Sequence, residues 1–216
     1  MKNLLSKENI KKIFNKEFYK KVALVIFLSF IMYLYVPLNK LRYPLIIFKT
    51  PVDNYIPFLP FFVVFYFIIH NVLLYGTMAF SFIKENKRFY TFFYSMILAN
   101  MVAYLIYYFF QSTIIRPTIV GHSIFSLGVA KIYSTDLLYN AFPSGHAYYS
   151  TIVLMHWLKS NARKSIKIII SVLISLVLMS TLFIKQHFIL DIIAGITLGI
   201  FSYLLVFSLM NKKKQE

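Results

Sequence analysis

Apolar residues in this chain neither alternate with polar ones nor form narrow stripes. They come in runs that are apolar on every face, separated by short basic or proline-containing connections. A helix of roughly 20 apolar residues spans a bilayer. Six runs approach that length: Val22 to Leu38, Phe61 to Phe82, Tyr90 to Phe110, Phe142 to Leu158, Ile168 to Ile184 and Phe188 to Met210. Backbone polar groups in lipid must be paired inside a helix or a closed barrel. A barrel would show strands of about ten residues alternating apolar and polar, and these runs do not. The pattern predicts an all-α fold, a polytopic membrane bundle of six transmembrane helices.

Composition agrees. Of the 216 residues, 59% are hydrophobic and 14% charged, and the mean hydropathy is +0.69. A soluble domain carries roughly 45–50% apolar and about 25% charged residues, so an ordinary soluble domain is excluded. The absence of cysteine excludes disulfide scaffolds, thiolate metal sites, iron–sulfur clusters and cysteine nucleophiles. The formal net charge of +16 would suit nucleic acid, but its distribution says otherwise. Most Lys and Arg fall in the first 21 residues, in the connections after the second and fourth runs, and in the tail from Lys212. Loops rich in Lys and Arg stay cytoplasmic, which puts both termini in the cytoplasm of a multi-pass cell-membrane protein. The charge is a matter of topology and lipid headgroups, and no nucleic-acid partner is expected.

The N-terminal stretch does not read as a cleavable signal, because its basic region is long and no small-residue cleavage site follows the apolar run. Ile10, Ile13, Phe14 and Phe18 share one helical face with lysines on the others, which suits a helix lying along the inner membrane surface. A frayed basic tail is the plainer alternative. The expected division is a basic amphipathic segment at 1–21, a six-helix domain at 22–210 and a basic tail at 211–216. Four prolines between Leu41 and Pro60 prevent a single helix there. The connection from Gln111 to Ala141 is long enough to carry elements of its own.

Three polar clusters fall at the outer ends of the expected helices. They are Arg116-Pro117, Pro143-Ser144-Gly145-His146, and Lys185-Gln186-His187 with Asp191 four residues beyond His187. The topology assignment did not use them, yet it places all three at one membrane face. A proline in a helix's first turn leaves the following amides, on Ser144, Gly145 and His146, unpaired at the positive end of the helix dipole. That is a site for phosphate, which Arg116 can also grip with its planar fork of donors. His187 and Asp191 share a helical face at i, i+4. The carboxylate can accept one imidazole N–H and leave the other nitrogen free to attack phosphorus, while His146 protonates the leaving oxygen. The constellation suits metal-free phosphoryl transfer, with no cofactor.

These residues resemble the phosphatidic acid phosphatase type 2 superfamily, which includes vanadium haloperoxidases. Its motifs are Lys-x6-Arg-Pro, Pro-Ser-Gly-His and Ser-Arg-x5-His-x3-Asp. Pro143 to His146 match the second completely, Arg116-Pro117 end the first, and Ser180, His187 and Asp191 fit the third. The resemblance implies a phosphohistidine on His187, oriented by Asp191, with His146 as general acid and then base. Arg116, Ser144 and Gly145 would hold the phosphate. Two family cations are missing, since Phe109 stands at the Lys position and Thr181 at the Arg position; Lys185 is the candidate to supply one. The chain is in this respect similar to a divergent branch that includes inositol-phosphorylceramide synthase-like transferases.

The implied activity is hydrolysis of a lipid phosphomonoester or pyrophosphate on the extracytoplasmic face. The alternatives are a phosphotransferase using the same intermediate, and a lipid transporter or scramblase that keeps the site only as a pocket. Transporters gather polar residues near the midplane, whereas here they gather at one end. His70 and His156, inside apolar runs and distant from the outer cluster by helical count, read as hydrogen-bonded core residues. His122 reads as a solvated loop histidine.

Overall fold

The protein is described from a computed structural model, which covers residues 15–40, 45–84 and 86–212. The expected surface helix built on Ile10, Ile13 and Phe14 lies outside the described residues. Among those described, the fold is all-helical, with only two isolated bridges of extended backbone, Ile46 to Ser112 and Thr113 to Tyr139.

The chain forms α1 (Lys16–Leu38), α2 (Pro60–Ile83), α3 (Asn86–Phe109), α4 (Ile124–Thr135), α5 (Gly145–Leu158), α6 (Lys164–Phe183) and α7 (Ile189–Lys212). All but α4 and α5 are long and apolar enough to cross a membrane. Helix α1 starts at Lys16 rather than at Val22, because the Asn15 side chain accepts the Phe18 N–H at 3.0 Å and caps the helix there. It breaks after Tyr33, where Pro37 cannot donate to the carbonyl four residues back.

Helix α5 departs from the expected fourth span. Its 14 residues begin at Gly145 rather than Phe142 and reach only about 21 Å at 1.5 Å per residue. A residue before proline avoids helical backbone, so Phe142 stays outside. Ser144 becomes the N-cap, its Oγ accepting from Ala147 N–H at 3.3 Å. The Ser144 N–H, expected to be free, donates to the Asp191 carbonyl at 2.9 Å.

Helix α3 is the hub. Phe89, Phe92, Phe93, Met96, Ala99 and Ala103 are buried along it, and half of its apolar span is enclosed against 17% for α1 on the periphery. Helix α5 lies inside the bundle, packed on α2, α3, α6 and, most closely, α7. Gly195 and Gly199 permit that last approach. A Cβ on Gly195 would sit 2.6 Å from both the Ala147 Cβ and the Ser144 carbonyl; one on Gly199 would meet the Thr151 Cβ at 2.7 Å. Small residues four apart let membrane helices pack backbone to backbone. The Gly195-x3-Gly199 spacing was the sequence signal for this contact, and the motif reading passed over it.

Two corrections concern the second span. Its first part is not α-helical: Pro60–Phe62 is a 3-10 turn and Val64–Ile69 a π-helix. The π winding fits more residues into each turn, so His70 lies nearer the Pro60 end of the span than an α-helical count placed it. The segment from Gln111 joins the segments around Ile46 and Asn140. Ile46 N–H donates to the Gln111 carbonyl at 3.0 Å and Asn140 N–H to the Ser112 carbonyl at 2.8 Å. The long connection from Gln111 to Ala141 carries α4, which rests on the Pro60–Phe62 turn.

Gly195→Ala should therefore lower stability in detergent by roughly 1–3 kcal/mol, the cost of overpacking. Because the clash falls on the Ser144 carbonyl at the start of α5, it should also displace His146. Thermal unfolding and lipid-phosphate turnover measured together check this; a variant as stable as the parent would refute the close crossing.

Candidate active site

The crossing of α5 and α7 brings the N-terminal ends of the two helices together. His146 is the second residue of α5, and His187 sits just ahead of α7. Their ring centroids are 6.4 Å apart at 57°, and both line one cavity of about 320 Å³. His187 Nδ1 lies 3.6 Å from Asp191 Oδ2, a step longer than a hydrogen bond. Asp191 has a local role too: its Oδ2 accepts the Phe188 N–H at 2.8 Å, the reciprocal half of a capping box. Asp191 Oδ1 and His187 Nδ1 are buried without hydrogen-bond partners among the described residues.

His187 is delivered by the end of α6. The Gln186 N–H donates to the Thr181 carbonyl at 2.9 Å and the Lys185 N–H to the Leu182 carbonyl at 3.1 Å. This pair of bonds is a Schellman motif, with Lys185 in the left-handed position at φ 53°. The same geometry turns Lys185 away from the cavity, and its Nζ donates to the Ile56 carbonyl at 2.5 Å. Burial pulls its ammonium pKa down, and Asp53 opposes that. Asp53, which the motif reading did not single out, is buried and accepts the Ile189 N–H at 2.9 Å, holding the first turn of α7.

His146 is clamped by α2. The Tyr66 ring stacks on it at 4.0 Å, and His70 lies 4.4 Å away. His70, expected to be remote, is thus part of the cavity wall; its Nδ1 also lies 3.1 Å from the Ser150 Oγ. His156 is at the opposite end of α5, 3.1 Å from the Ser81 Oγ. At the α5 N-terminus, the Gly145 and His146 amides have no intrahelical acceptor, as in any first turn. Gly145 also lines the cavity, so its backbone is open to a ligand.

Arg116 reaches toward the site without lining the cavity. It donates to the carbonyls of Asp136 (2.8 Å), Tyr133 and Leu137, and to the Gln186 Oε1 at 2.5 Å. Its guanidinium lies over the Tyr133 ring at 4.5 Å. Burial lowers its pKa, and the Asp136 carboxylate opposes the shift. Gln186 stands between it and the cavity. At the positions of the missing family cations, Phe109 is exposed on the bundle surface, and Thr181 is buried with its hydroxyl on the Leu178 carbonyl. Among the described residues, no Lys or Arg lines the cavity.

The sequence model of the PAP2 superfamily matches residues 88–215, more than half of the chain. The chain belongs to the PAP2 superfamily. The motif resemblance is thereby borne out, and the matched region holds Arg116, the Pro143–His146 motif, His187 and Asp191. The crystal structure of Aquifex aeolicus LpxE superimposes with a TM-score of 0.53 at 20% identity, over 82% of this chain and 94% of that one. At that identity the likeness concerns the fold. No curated protein matches the sequence.

For this PAP2 protein, the left-handed Lys185 yields a prediction. A side chain in that conformation costs roughly 1–2 kcal/mol that glycine does not, and the ammonium is directed at Ile56, away from the cavity. Lys185→Gly should hold or raise the melting temperature and retain turnover. A large loss of activity with the fold intact would return Lys185 to the phosphate site.

Proposed function

We propose that this chain is an integral membrane lipid phosphatase that hydrolyses a lipid phosphomonoester or pyrophosphate at the extracytoplasmic face. The observation that carries this reading is the pair of imidazoles on one cavity, 6.4 Å between centroids, with Asp191 3.6 Å behind His187. Reactive atoms are positioned at about 3–3.5 Å before bond formation. The separation leaves room for one phosphorus with a nitrogen on each side.

In the proposed reaction, His187 Nε2 attacks phosphorus while Asp191 accepts the Nδ1–H and stabilises the cationic ring. The bond from phosphorus to the lipid oxygen breaks, and His146 gives that oxygen its proton. His146 then takes a proton from water, whose oxygen attacks the phosphohistidine and frees phosphate and His187. The Gly145 and His146 amides at the α5 N-terminus receive the phosphate oxygens. Ser144 shapes that turn as its cap, and Arg116 supports it from behind Gln186. Lys185 is left out of this site because its ammonium is engaged elsewhere. The uneven distribution of Lys and Arg supports six spans with cytoplasmic termini, α5 being the short sixth.

One observation favours a second reading, transfer of the phosphoryl group to an alcohol. The cavity has no Lys or Arg among its described lining residues and has many apolar ones, which suits a lipid acceptor in place of bulk water. Product analysis with and without an alcohol acceptor separates the two, since a transferase releases little free phosphate.

Removing the nucleophile should be close to complete in effect. His187→Ala is expected to cut phosphate release by at least about a thousandfold, as for other covalent nucleophiles. Vanadate should inhibit, and EDTA should not. Wild-type-like turnover by folded His187→Ala would overturn the mechanism; loss of activity in EDTA with recovery on adding a divalent ion would point to a metal site instead.

A further inference from the structure

Asp136 has no place in the mechanism above, yet it stands in the wall of the same cavity. It directly follows α4, and its Oδ1 accepts two hydrogen bonds, from the Tyr35 hydroxyl at 3.0 Å and the Asn39 amide at 2.9 Å. Its Oδ2 accepts none among the described residues, and no ion pair involves Asp136 there. Arg116 binds the backbone carbonyl of Asp136 rather than its carboxylate. Burial raises the Asp136 pKa; the Tyr35 hydrogen bond and the charges of Arg116 and His187 oppose that and favour the ionised form.

A carboxylate beside a phosphate site is a repulsive arrangement unless the substrate brings its own positive charge. The surrounding wall fits such a charge. Tyr35, Tyr66, Tyr107 and Tyr139 line the cavity with Asp136, and the Tyr35 and Tyr107 rings meet edge to face at 6.2 Å. Aromatic faces together with a carboxylate recognise ammonium groups. No Lys or Arg is among the described lining residues; the start of α5, at Gly145 and His146, and the Asp136 carboxyl line the same cavity.

We infer that the substrate is a lipid phosphate carrying an alkylammonium group close to the phosphate, with its phosphate at His146 and His187 and its ammonium between Asp136 and the tyrosine rings. The inference rests on the phosphatase reading and specifies the substrate class of that site. The tyrosine and aliphatic walls favour a lipid over a water-soluble amine phosphate.

The test uses a matched pair, sphingosine 1-phosphate and its N-acetyl derivative, which share a phosphomonoester and differ in whether the neighbouring nitrogen is charged. Wild-type protein in detergent should favour the charged lipid by about tenfold or more in kcat/KM, chiefly through KM. Asp136→Asn keeps an acceptor for Tyr35 and Asn39 and should bring the ratio close to one. Equal use of both lipids by the wild type, or an Asp136→Asn loss that falls equally on both, would overturn the inference. Calorimetric binding to His187→Ala reads the same discrimination without turnover. Preferential binding of the charged lipid alongside absent hydrolysis by the wild type would sustain the ammonium site and sink the phosphatase reading. Equal binding would sink the ammonium site alone. O-phosphoethanolamine, binding much more weakly than the charged lipid, should show that the lipid form is the ligand; equal affinity would overturn that part.

Discussion

Everything at the candidate site hangs on how closely α7 approaches α5. Two helices with ordinary side chains at the crossing stay 8–10 Å apart. Gly195 and Gly199 remove that spacing, since a Cβ at either position would fall within 3 Å of α5 atoms. In lipid no hydrophobic gain drives helices together, and tight van der Waals packing takes its place. The contact also links the two site-bearing turns directly, because the Ser144 N–H bonds the Asp191 carbonyl. His146 and His187, far apart in sequence, become neighbours through that one crossing.

Local capping rules do the finer positioning. Asp191 closes the first turn of α7 while facing His187, and Asp53 holds the Ile189 amide from the Pro51–Asn54 turn. The Schellman end of α6 fixes where Gln186 and His187 leave the helix. On the opposite side, the π-wound stretch of α2 presses Tyr66 and His70 onto His146. Each imidazole is thus held by backbone geometry and ring packing, which leaves it little conformational freedom to lose.

The distribution of charge is as telling as the geometry. Arg116 spends its donors on three backbone carbonyls and Gln186, and so braces the connection from Gln111 to Ala141 against the end of α6. Phe109 and Thr181 stand at the two positions where the resemblance implies cations, and Asp136 places a carboxyl group in the cavity wall.

Much of the outline was legible in the sequence. Unbroken apolar runs read as helices because lipid leaves the backbone no other partner. The Pro143–His146 string and the His187–Asp191 spacing pointed to the chemistry because local motifs survive without tertiary knowledge. The starts of α1 and α5, the π winding and the place of His70 were not legible. They depend on a cap, on the restriction before Pro143, and on how α2 packs against α5 and α6. Gly195-x3-Gly199 was visible, but its meaning required the partner helix. Lys185 looked like a phosphate ligand by sequence proximity, and a left-handed backbone turned it elsewhere. Sequence alone determined which segments are apolar enough to form helices in a membrane and which residue types suit phosphoryl chemistry, since both follow from local chemistry. Only the tertiary structure decided which side chains share the cavity, because that depends on helix packing between segments far apart in the chain.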